Sequence, residues 1–260
     1  MNLATRILIT AALSCAATMG AAASAQTTTG TPEATLHESE SPDSATTIPD
    51  AKGVADLPLV ELPVATPNDT FAVLYSGDGG WRDLDRDVAA ILQRRGLPVV
   101  GVDVLRYFWA RRTPERAARD LGRIIDAYRH KWGASKVVLI GYSFGADVLP
   151  ALYNRLPAAE RAAVVQVSLL GFAATADFEV TAAGWLQQQR SDALSTLPEV
   201  RRIDPRRVQC FYGVDDDEAA CPQIGNGAEL IRTTGGHHFD GDYEALARHI
   251  MHGMTRRDAL

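Results

Sequence analysis

Five residues in this chain have the types and spacing of a nucleophile and its setting: Gly141-Tyr142-Ser143-Phe144-Gly145. They follow an apolar run at 137–140 and precede a helix-forming stretch. A G-x-S-x-G string means little alone, but on a strand–turn–helix it forms a sharp elbow that lifts the serine above the sheet edge. Both flanking positions must then lack bulk, as Gly141 and Gly145 do. The helix that starts here offers backbone N–H groups to developing negative charge. A serine hydroxyl attacks well only when a base removes its proton.

The chain offers that base, and an acid to orient it, in the order serine, acid, histidine. After an apolar run at 208–212 comes Gly213-Val214-Asp215-Asp216-Asp217-Glu218. An acid at this place can orient an imidazole and stabilise its cation. Asp216 is the preferred acid, with Asp215 second. After a run at 229–233 comes Gly235-Gly236-His237-His238-Phe239-Asp240. His238 is the preferred base because it directly precedes an aromatic residue, with His237 as the alternative. An oxyanion needs two backbone donors. The Phe144 amide, next after the nucleophile, is one. The glycine-rich loop Ser76-Gly77-Asp78-Gly79-Gly80-Trp81 supplies the other, from Asp78 or Gly79. This loop has neither the lysine of a P-loop nor the spacing of a dinucleotide fingerprint. A metal site built from His237, His238, Asp240 and Asp242 matches no known ligand spacing, so no metal and no cofactor are expected.

These loops need a scaffold with strand ends on one edge. Apolar, β-branched runs at 60–65, 71–75, 99–104, 136–142, 164–170, 208–212 and 229–233 read as strands, mostly buried on both faces. Helical patterns at 83–95, 114–132, 144–156 and 243–254 lie between or after them. The second is the plainest: Thr113 caps it, Pro114 suits its first turn, and Gly133 ends it. Ala117, Leu121, Ile124, Ile125, Tyr128 and Trp132 make its apolar stripe. The alternation predicts a largely parallel sheet covered by helices on both faces, the α/β-hydrolase arrangement. Residues 173–207 are harder to read and leave room for at most a small cap.

The ends read differently. Arg6, an apolar run at 7–17 and the small-x-small site Ala23-Ser24-Ala25 have the order of a secretory signal peptide. Residues 26–56 are rich in Thr, Ser, Pro and acids, hold no aromatic residue, and read as a disordered linker. The folded domain is then expected over 57–260. The formal net charge of the 260 residues is -6, and the linker alone holds six acids and one lysine. Bulk charge therefore selects neither nucleic acid nor membrane. Export would leave Cys210 and Cys221 in an oxidising compartment, where they can pair.

Four strings in order, SGDGGWRDLD, GVDVLRYFWARRTPE, GYSFGADVLP and GGHHFDGDY, resemble the VirJ/AcvB bacterial virulence proteins over about residues 57–255. The chain looks like the short form of that family, without the additional N-terminal domain of the longer members. The resemblance implies a periplasmic α/β-hydrolase linked to hydrolysis of aminoacyl-phosphatidylglycerol, notably the lysyl form, at the membrane surface. It also implies a link to type IV secretion components. The matching nucleophile is Ser143, and the matching histidine loop carries His237 and His238. For a lysyl substrate, Asp78, Asp103 and Asp147 are candidates to face the ammonium groups. Tyr107, Phe108 and Trp109 are candidates to line an acyl or lipid pocket.

Overall fold

The computed structural model describes residues 53–181 and 193–258. The expected signal peptide and most of the expected linker lie outside the described residues, as does 182–192, within the stretch expected to hold any cap.

The strands are β1 (Leu59–Leu62), β2 (Thr70–Tyr75), β3 (Val99–Val102), β4 (Lys136–Tyr142), β5 (Val164–Leu170), β6 (Thr175–Ala176), β7 (Leu194–Ser195), β8 (Val208–Gly213) and β9 (Glu229–Thr233). Seven of them form one sheet in the order β1-β3-β2-β4-β5-β8-β9. All its pairings are parallel except β1 with β3. The helices are α1 (Asp83–Arg94), α2 (Val104–Tyr107), α3 (Pro114–Trp132), α4 (Phe144–Asn154), α5 (Ala158–Ala163), α6 (Thr196–Val200) and α7 (Tyr243–Asp258).

Strand β2 shows why the apolar runs are continuous. Phe71, Val73 and Tyr75 enter a core shared with α3 and α4, while Ala72 and Leu74 enter a second core with α1 and α7. A strand covered on both faces has no polar side to alternate. Helix α3 follows its sequence pattern closely. Thr113 accepts the Arg116 N–H, Pro114 opens the first turn, and Gly133 closes the helix at φ 65°. The predicted stripe is buried in the larger core.

Several boundaries move for local reasons. The first strand ends at Leu62 rather than residue 65, because Pro63 has no N–H to continue a ladder and its carbonyl accepts from Gln93. The third ends at Val102, because the Asp103 carboxylate accepts the Arg106 N–H and starts α2. The expected linker ran through residue 56, yet Val54 is 3 % exposed within the core. Asp56 pairs with Arg123, and Arg123 also binds the Gly53 carbonyl. The fold therefore takes in these residues too.

Cys210 of β8 and Cys221 form a disulfide, both sulfurs lying in fully buried residues. The bridge closes the turn that carries Asp215 and Asp216. In the region expected to hold at most a cap, β6 and β7 pair as a two-stranded antiparallel sheet followed by α6. Among the described residues, no helix is long and apolar enough to cross a membrane.

Candidate active site

The turn from β4 into α4 is sharp and closely packed. Ser143 sits at φ 52° and ψ -122°, a conformation that L residues with side chains seldom adopt. Its neighbours explain the sequence pattern. A Cβ on Gly141 would stand 2.5 Å from the Gly145 carbonyl oxygen, and one on Gly145 would stand 2.3 Å from the Tyr75 carbonyl oxygen. Backbone meets backbone at both places, so neither position can hold a side chain without moving the elbow.

The loops after β8 and β9 bring two more groups to Ser143. His237 Nε2 lies 2.9 Å from Ser143 Oγ, and His237 Nδ1 lies 2.9 Å from Asp216 Oδ2. The Asp216 side chain is 6 % exposed and that of His237 is 35 % exposed, so the pair is sheltered while the imidazole still faces the opening. Asp215, the second-choice acid, is exposed and outside this chain of contacts.

The structure corrects the choice of histidine: His237, not His238, stands beside the serine. The Gly236 carbonyl accepts the Phe239 N–H, making a turn that sends the two adjacent imidazoles apart. His238 Nδ1 instead lies 2.7 Å from Tyr142 Oη. Burial pushes the Tyr142 phenol well above its ordinary range, so the hydroxyl donates to that nitrogen. The aromatic residue used as a guide, Phe239, turns into the α1–α7 core.

Gly171, at the end of β5, leaves the space that His237 fills. It sits at φ 64°, and a Cβ there would lie 2.8 Å from His237 Cε1. Gly171→Ala is expected to push the imbedded imidazole off line and lower kcat by about a hundredfold, the cost of roughly an ångström of misplacement. Ester turnover measured alongside a thermal melt checks this; unchanged kcat would show that the loop absorbs the methyl group.

A cavity of about 740 Å³ opens beside Ser143, lined also by Gly77, Asp78, Gly79, Gly80, Tyr142, His237, His238 and Tyr243. The glycine loop is braced from beneath. The Gly77 carbonyl accepts from the Gly80 N–H and from Ser76 Oγ, and Ser76 Oγ accepts the Val104 N–H. Because a peptide is planar and trans, this points the Asp78 N–H in the opposite direction from that carbonyl, within the same plane. Phe144 is the first residue of α4, so its N–H has no acceptor within the helix. Asp78 and Phe144 thus remain the candidate oxyanion donors.

Other sequence candidates fall elsewhere. Asp103 caps α2. Asp147 accepts the Ala173 N–H at 2.7 Å, and burial pushes its carboxyl well up, so it is a poor counter-ion for ammonium. Tyr107 is 2 % exposed and donates its hydroxyl to Asp120, so it serves packing rather than a pocket wall. Phe108 is buried against Phe144 and Phe178. Trp109 is 69 % exposed and is not among the cavity residues. One group escaped the sequence reading. Asp85, in the first turn of α1, lines the cavity while only 3 % exposed. Burial, opposed by backbone hydrogen bonds from Arg82 and Gly77, pushes its carboxyl up to about 7.

The architecture is shared with many solved structures at low sequence identity. Est1E from Butyrivibrio proteoclasticus is 12% identical with a TM-score of 0.54, over 75% of this chain and 90% of that one. MenH from S. aureus is 12% identical with a TM-score of 0.55, over 77% and 98%. A lipase-esterase related protein from Clostridium acetobutylicum is 14% identical with a TM-score of 0.52, over 75% and 98%. These likenesses show the α/β-hydrolase fold. No curated protein sequence matches the chain. The family model described as "Bacterial virulence protein (VirJ)" matches residues 69–258, which takes in the elbow, the acidic turn and the histidine loop. The chain belongs to the VirJ family of bacterial virulence proteins.

Proposed function

We propose that this chain is an exported serine hydrolase that cleaves the aminoacyl ester of lysyl-phosphatidylglycerol. The observation that carries the reading is the unbroken Ser143–His237–Asp216 line of contacts at the mouth of a cavity. His237 Nε2 takes the Ser143 proton as Oγ attacks the ester carbonyl, and Asp216 stabilises the imidazolium through Nδ1–H. The tetrahedral oxyanion faces the Phe144 and Asp78 amides. Collapse breaks the ester C–O bond, and His237 returns the proton to the phosphatidylglycerol hydroxyl. Water, deprotonated by His237, then releases lysine from the acyl-enzyme.

Membership of the family supports the choice of substrate, and the sequence before the domain supports export. The buried disulfide also suits an oxidising compartment. The test is to incubate the purified protein with lysyl-phosphatidylglycerol vesicles and follow free lysine. Release by wild type and none by Ser143→Ala is the expected result. No release by wild type, or equal release by the variant, would remove the reading.

A further inference from the structure

The cavity beside Ser143 is lined by carboxyl groups that the proposed chemistry does not use. They belong to Asp78, Asp83 and Asp85. Asp83 is spent on an exposed pair with Arg86. Asp85 differs from both. The Gly77 and Arg82 N–H groups face its carboxyl, but the Arg82 contact to Oδ2 is long at 3.5 Å, and no donor reaches the buried Oδ1 within hydrogen-bond distance and angle. A buried carboxylate oxygen without a donor is costly, and the cost is relieved when a cation arrives. An ammonium group supplies donors and opposite charge together.

We infer that Asp85 is the group that receives the terminal ammonium of the acyl chain, so that the enzyme selects cationic acyl esters. This rests on the hydrolase reading above and adds to it the residue that distinguishes a lysyl from an uncharged acyl group. The placement fits: Asp85 and Ser143 line one cavity, so an acyl chain attached at the serine has the carboxyl within the same enclosure. An N3 acid normally serves only to complete a helix cap, with water on its outer oxygen. Here that oxygen is closed off from solvent, so an ammonium in the cavity that Asp85 lines meets it when the carboxyl turns about its side-chain bonds.

The carboxyl's upward displacement supports the idea and gives it a pH signature. The groups around it are Asp103 beyond β3, Tyr142 on β4 and Tyr243 on α7, with Asp78, Asp83, Arg82 and His238 on the same cavity. Asp103 adds negative charge that raises it further. Asp85 binds an ammonium only when ionised, so preference for the cationic ester is present above about 7 and fades as pH falls through it.

The matched probes are the p-nitrophenyl esters of 6-aminohexanoate and hexanoate, which differ by one ammonium. Wild type is expected to favour the charged ester, chiefly through KM, by on the order of tenfold or more. Asp85→Asn is expected to erase that preference and its pH dependence while hexanoate turnover persists, which also reports a folded enzyme. A preference that survives in the variant overturns the inference. So does wild-type hydrolysis of both esters at equal efficiency, which leaves the hydrolase reading standing. Equal loss on both esters in Asp85→Asn assigns the carboxyl to bracing the 76–81 loop, and overturns it too. Hydrolysis of neither ester, together with no lysine release from vesicles, removes the hydrolase reading and this inference with it.

Discussion

His237→Ala is expected to lower kcat/KM for ester hydrolysis by roughly four orders of magnitude or more, the scale seen when the base of a serine triad is removed. His238→Ala is expected to do far less. The two residues are neighbours in sequence and share a loop, so a difference between them reports geometry rather than general damage. His237 has one ring nitrogen 2.9 Å from Ser143 Oγ and the other 2.9 Å from Asp216. Without it the hydroxyl keeps its proton and attacks poorly. The His238 imidazole has a hydrogen bond to lose, from the Tyr142 hydroxyl. Losing it is worth about 1 kcal/mol, or about fivefold if all of it reached the transition state. Lysine release from lysyl-phosphatidylglycerol and the rate of fluorophosphonate labelling are the two readouts. A dead His238→Ala with an active His237→Ala would reverse the assignment.

Much of this site was legible because the constraints are local. The G-x-S-x-G string is forced by backbone atoms within a few residues, plus two carbonyls, Tyr75 and Ser76, at the end of the adjacent strand. Helix α3 was legible for the same reason: its cap, its apolar stripe and its terminating glycine are all written within its own span. The histidine choice was not. Which of two consecutive imidazoles points to Ser143 depends on the turn closed from Phe239 to Gly236 and on the space that Gly171 leaves from another strand. Nothing at positions 237 or 238 alone carries that information.

Asp85 was illegible for a related reason. In sequence it is one of two acids in the first turn of an amphipathic helix, where acids favour the helix dipole and normally face water. Its burial arises among groups from distant parts of the chain: the glycine loop at Gly77, Tyr142 on β4 and Tyr243 on α7. The linker boundary failed through averaging. A window rich in Thr, Ser and Pro hid Val54 and Asp56, which are held by the core and by Arg123 at a separation of 67 residues for the ion pair.

Asp216→Asn is the second large effect, and it separates orientation from bulk charge. The substitution keeps size and shape but changes what His237 meets. The carboxylate accepts a hydrogen from Nδ1, which leaves Nε2 free to take the Ser143 proton. An amide at this place can present N–H instead, which favours the tautomer with hydrogen on Nε2 and a base turned the wrong way. A fall in kcat of about 10⁴-fold is expected, with the thermal midpoint little changed. Asp215→Asn removes the same charge one residue away, on an exposed side chain outside the hydrogen-bonded line. It should leave kcat close to wild type, because exposed charges at such distances are screened. Steady-state turnover of one ester by the two variants decides the matter. If both fall together, the acidic turn acts as a diffuse negative field. If only Asp216→Asn falls, one carboxylate orients one imidazole, and the turn closed by the Cys210–Cys221 bridge serves to hold it there.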